Sequence, residues 1–342
     1  MKTFYRMLLL SVCIGLLTPL LTACSTSSSQ SKAAIEHRQE LFQKLKPNLS
    51  KPLVGRVQRM PDELLAATQA FDKSIGIVNF EGYKARAATD DELALIKSYI
   101  ALLPPAHQAV FAEKLLAIYL IDNFSGAGLT DWVVDDEGRV YYYIAFNSAL
   151  LSTPLDDWLS YKEDSPFDDS ATSPTIRVQT HTHYKALLHG LLHEGAHVVD
   201  YERGITPYVD TLHKQFKHLN RESSAFTTNV WVNKNTPKTE FDFSHRGKYN
   251  LYRIFSNMAL IPRAEMPALF AQLKKTPFVG FYSGSTWNEH LADYLAYYHI
   301  EKKLDGSITL NFLSQGSVVD SYDPLKALSA QRLEKAIEIF YQ

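Results

Sequence analysis

The chain reads as an α+β protein, mainly helical, with a small β-sheet placed just before a long buried helix. Three observations predict this. Helical apolar spacing or helix-start chemistry recurs along the 342 residues. Two Val- and Tyr-rich runs, 132–134 and 140–144, flank Asp135, Asp136, Glu137 and Gly138, which makes a β-hairpin. Between 183 and 201, Leu187, Leu188, Leu191, Leu192, Val198 and Val199 give one helix a broad apolar face.

The elements follow in order. Ile35, Leu41, Phe42 and Leu45 space a surface helix over 33–45. Pro61, Asp62 and Glu63 open the next helix, with proline in the first turn and acids at the positive end. Asp90, Asp91 and Glu92 open a third over 90–103, stopped by Pro104 and Pro105, and another helix then runs to about Leu120. Residues 161–175 are polar, acidic and proline-containing, and read as a surface loop. Residues 176–180 suit a short strand. The helix over 183–201 meets Gly204 as its stop. Residues 205–250 are mixed, and helices are expected over 263–274, 286–302 and 324–340.

The first residues have another purpose. Lys2 and Arg6 precede an apolar run that ends in Leu21, Thr22, Ala23 and Cys24, the layout of a secretory leader. That ending resembles a bacterial lipobox, which implies that residues 1–23 are removed and Cys24 carries lipid. Ser25 follows with no aspartate, which in Gram-negative sorting implies the outer membrane. Residues 24–34 then form a lipidated, Ser-rich tether. A helical region spans 35–125 and a second region 126–342, with the two either separate or continuous. The chain has 2 cysteines, Cys13 in the leader and Cys24, so no disulfide is expected. A net charge of −2 argues against a nucleic-acid partner.

Chemistry is concentrated in His193-Glu194-Gly195-Ala196-His197. On a helix, residues four apart share a face, so both imidazoles can hold one metal ion with Glu194 beside it as general base and acid. Two histidines and a carboxylate suit zinc best. The residues after His197 lack the third histidine of the metzincin pattern. Asn288, Glu289 and Asp293 instead resemble the Asn-Glu-x-x-x-Asp signature of gluzincins, the thermolysin-like and aminopeptidase-like metallopeptidases. The resemblance implies a zincin-like catalytic domain, with Glu289 as third zinc ligand and Asp293 orienting His193. Glu289 and Asp293 are i,i+4 and so point to one side of a helix.

A second resemblance is to the catalytic domain of anthrax lethal factor and its bacterial relatives. It rests on the order of small sheet, motif helix, long insertion and a tyrosine seven residues before the ligand glutamate. Tyr282 holds that position, as an oxyanion donor or as a packing residue. His189, one turn before His193, is a core histidine, a substrate contact or a decoy ligand. His181 and His183 line the cleft edge or cap the helix. His290 points about 100° away from Glu289 and is not a ligand. Asp168 and Asp169 read as a solvated loop pair. These readings imply a zinc-dependent peptidase acting on peptides or proteins, tethered by lipid to the bacterial envelope. The alternatives are a cell-wall peptide amidase and a non-catalytic envelope lipoprotein that binds peptides or assembly partners.

Overall fold

The computed structural model describes residues 27–216 and 223–342. The leader and Cys24 lie outside them. Helix α1 (Ser27–Leu45) already includes most of the segment expected to be a tether. It buries Leu41, Phe42 and Leu45. Helices α2 (Asp62–Ser74) and α3 (Asp90–Leu102) start where proline and acids predict. At α3, Thr89 and Glu92 form a reciprocal capping box.

The first large difference follows α4 (Pro105–Lys114). The stretch expected to remain helical to Leu120 is strand β3 (Leu115–Asp122). It is the centre of a five-stranded sheet. β3 pairs in parallel with β1 (Val57–Gln58) and β5 (Val140–Asn147), and antiparallel with β2 (Lys84–Arg86). The hairpin partner β4 (Gly128–Val134) forms the edge beyond β5. Residues 115–121 are all buried because both faces are covered. Ile118 and Leu120 face the main core, while Ala117, Tyr119 and Ile121 join the cluster under α1 and α2. A run buried on both sides loses the alternation that marks a strand, so its pattern does not separate strand from helix. The region 35–125 is therefore not simply helical, and the sheet draws strands from both expected regions.

A second correction concerns 161–175. Helix α5 (Leu155–Asp164) covers its beginning. Beyond it, Asp168 accepts from the backbone N–H of Arg263 at 3.0 Å and Asp169 pairs with Arg253, so these acids are engaged. Strand β6 (Thr175–Gln179) was expected, but it belongs to a separate antiparallel sheet. Its partners include an unanticipated hairpin whose two strands are given below.

The motif helix is α6 (Ala186–Arg203), closed by Gly204 in the left-handed conformation at φ 59°. Residues 186–201 are all buried. A short ribbon, β7 (Trp231–Asn233) and β8 (Thr236–Pro237), precedes α7 (Met266–Leu273). Helix α8 (Trp287–Lys303) packs along α6. The unanticipated hairpin is β9 (Thr309–Ser314) with β10 (Ser317–Tyr322), and β9 pairs with β6. The expected closing helix is instead a set of short helical turns. Among the described residues no helix is long and apolar enough to cross a membrane.

Candidate metal centre

The site lies where α6 meets α8, beside edge strand β4. Gly195 lets α6 come this close to α4. A Cβ there would collide with the ring of His107 and press on Phe111. His107 also reaches the carbonyl of Leu192 at 3.1 Å. On α8, the Thr286 hydroxyl caps the helix, accepting from the Glu289 N–H, and Asn288 donates to Glu289 Oε1 at 3.0 Å. The cap and the amide together aim the Glu289 carboxylate at α6.

Glu289 Oε2 lies 3.1 Å from His193 Nε2 and 3.4 Å from His197 Nε2. The three ligand atoms all lie within 4.8 Å of one another. Donors 2.0–2.1 Å from a tetrahedral ion stand about 3.3 Å apart, so the donor set and its spacing fit a zinc-sized cation. The pairing is electrostatically tight as well. Burial alone would push His193 down, but hydrogen bonds with Asp293 and Glu289 outweigh it and bring the imidazole up to about 9. Burial likewise favours a neutral Glu289, and the two imidazoles override it to hold the carboxyl well below its usual range. A cation bound between these groups would take the place of the shared proton.

Asp293 accepts from His193 Nδ1 at 2.9 Å. This leaves Nε2 as the atom facing Glu289. The other oxygen of Asp293 accepts from Lys162 Nζ at 2.6 Å, with both side chains buried. Sequence reading missed Lys162. The signal was present, since Leu155, Trp158, Leu159 and Lys162 fall on one face of α5 and a lysine on an apolar stripe needs a buried partner. Glu163 was missed too. Its Oε2 accepts from the Phe281 N–H at 2.9 Å, and burial pushes its carboxyl up to about 7, against the pull of Lys162.

Glu194 is held by Thr130 of β4, whose hydroxyl lies 2.7 Å from Oε2 and 3.1 Å from the Glu194 carbonyl. Burial raises the Glu194 carboxyl, and the imidazoles of His193 and His197 and the Thr130 hydroxyl partly oppose it. Tyr282 lies against this centre, its ring stacked on His193 with centroids 6.0 Å apart.

His189 also comes near. Its Nε2 is 3.6 Å from Asp293 Oδ1 and its ring stacks on His193. His189, His193 and Asp293 form a second cluster with ligand-like spacing. The Lys162 ammonium on Asp293 opposes a cation there, and burial and Lys162 together push His189 far down, so it is a neutral core histidine on the cavity wall. His181 and His183 are exposed, and the α6 N-cap residue is Lys185, so neither histidine caps the helix. His290 points away from the centre, to the Trp231 indole N–H and the Pro277 carbonyl.

A cavity of about 370 Å³ opens onto the centre. His193, Glu194, His197, Tyr282 and Glu289 are among the residues that line it, and its walls are mostly apolar. The arrangement offers a three-donor cation site, a carboxylate beside it and room for a ligand. Comparison with protein-family models, curated proteins and solved structures finds no match for this chain.

Proposed function

We propose that the protein is a zinc-dependent peptidase of the gluzincin type, with a zincin-like catalytic region. The observation that carries this reading is the meeting of Glu289 with His193, 96 residues away, and with His197 at tetrahedral donor spacing. His193, His197 and Glu289 would hold a zinc ion, which when bound would supply an activated water and Lewis-acid polarisation of a carbonyl. Glu194 would take a proton from the attacking water at its carboxylate and pass it to the leaving amine. Burial raises its carboxyl above the usual range, the direction that suits a group that must both accept and donate a proton. Thr130 fixes the carboxylate for this transfer. Asp293 orients His193, and Lys162 keeps Asp293 ionised and in place. Tyr282 on the cavity wall is the oxyanion donor. The base beside a three-donor site favours an enzyme over a closed structural metal site, which takes four protein ligands. The leader and Cys24 support a lipid-anchored location in the bacterial envelope, with the site facing the periplasm or the surface.

The test is Glu194→Ala. The purified variant should bind zinc stoichiometrically and lose chelator-sensitive hydrolysis of casein or a peptide library. Parental rates in that variant, or no metal in the parent protein, would sink the proposal.

A further inference from the structure

The cavity holds one carboxylate that the proposed chemistry does not use. Asp72, near the C-terminal end of α2, lines it together with Ile75, Ile77 and Phe124. Asp72 is 2% exposed. Its Oδ2 accepts from the Tyr83 hydroxyl at 2.6 Å, and that hydroxyl accepts from the Ser125 N–H at 3.2 Å. These contacts fix the carboxylate but leave its charge uncompensated. Among the described residues Tyr83 is its one side-chain partner, and no cation lies within ion-pair reach.

The other carboxylates that line the cavity have partners: Asp293 pairs with Lys162, and Glu194 and Glu289 stand beside the two histidines that would hold a divalent cation. Asp72 has no such partner among the described residues. A buried carboxylate in apolar surroundings is costly unless a cation meets it. Burial duly pushes Asp72 up to about 6, against the Tyr83 hydrogen bond.

Asp72 also lines the same cavity as His193, Glu194, His197 and Glu289. Ser125, bonded to Tyr83, is three residues from Gly128, whose backbone lies against Glu194. Three extended residues span at most about 10–11 Å.

We propose that Asp72 determines specificity, receiving the cationic side chain of a lysine or arginine close to the scissile bond of a peptide substrate. Ile75, Ile77 and Phe124 cover the methylene stem of that side chain. This rests on the peptidase reading, and the experiment separates the two. Zinc-loaded protein is given one peptide sequence in which each position in turn is lysine, arginine, norleucine or glutamate. At one position kcat/KM should favour lysine or arginine over norleucine by at least about tenfold. Asp72→Asn, which keeps an acceptor for Tyr83, should reduce that ratio to about one, and Asp72→Glu should retain it. In parallel, binding of the same peptides to Glu194→Ala, with and without Asp72→Asn, is read by fluorescence polarisation and should show the same ratios. Melting curves verify that the variants are folded. Chelator-sensitive cleavage without basic preference, or a preference that survives Asp72→Asn, overturns the assignment and leaves the peptidase reading standing. Lysine-selective binding that is lost in Asp72→Asn, with no cleavage of any peptide, keeps the cationic subsite and removes the peptidase.

Discussion

Replacing Lys162 by methionine tests the buried charge pair behind the metal centre. Methionine keeps a stem of similar length beside Tyr282 and Tyr297, each with its ring centroid 5.7 Å from the ammonium, and deletes only the charge. At 2.6 Å the Coulomb attraction between Lys162 and Asp293 is about 6 kcal/mol for an effective dielectric of about 20. Desolvation of both groups opposes much of this. Breaking such a pair from one side nonetheless costs about 3–5 kcal/mol, because the remaining charge stays buried. Unfolding entropy for a folded body on the order of 300 residues is about 0.6 kcal/mol/K, so Lys162→Met should lower Tm by about 5–8 °C. Asp293→Asn alone should also destabilise, leaving Lys162 with Glu163 at 3.9 Å as its nearest acid. The double variant removes both charges, and its loss should fall short of the summed single losses by at least about 1.5 kcal/mol. Melting is measured on chelated protein so that metal binding adds nothing to stability. A coupling below about 0.5 kcal/mol would refute the view that this pair is an energetic unit.

Two further outcomes are expected. Thr130→Val removes the hydroxyl that anchors Glu194, so kcat should fall about tenfold with zinc content unchanged. Lost zinc or an unchanged kcat would count against a positioning role. Glu163 has a folded pKa raised by burial to about 7, so the folded state holds its proton more tightly than the unfolded chain. Its contribution is greatest below about pH 4 and is lost as pH rises to about 7, a fall of about 3–4 kcal/mol. Glu163→Gln should flatten that part of the stability–pH curve, and an unchanged curve would show that Glu163 titrates normally.

The legible parts of the molecule were those whose chemistry is local. His193 and His197 share one helical face whatever surrounds them, with Glu194 one residue round from His193, and Glu289 with Asp293 shares a face on α8. Helix starts at Asp62 and Asp90 were equally plain, because proline and acids act within one turn. What escaped was decided by contacts distant in sequence. Leu115 to Ile121 is apolar on both faces because helices cover both faces, and no short-range pattern records that. Thr130 gives no signal in β4, since its role exists only when α6 passes beneath it. Lys162 sat in a polar, acidic stretch whose composition concealed the apolar stripe of α5.

The same contacts tie the N-terminal region to the site. Thr130 and Asp131 are neighbours on β4 and point to opposite faces of the sheet. Thr130 turns toward α6 and holds Glu194. Asp131 turns toward α1, where it accepts from Arg38 at 3.0 Å and from the Tyr143 hydroxyl at 2.7 Å, with all three side chains buried. Burial favours a neutral Asp131, and Arg38 is the main force against it. The edge strand beside the candidate metal centre is therefore clamped from both faces, on one side by α1. Helix α1, through Arg38 beyond the expected tether, is thus a support for the strand that positions Glu194.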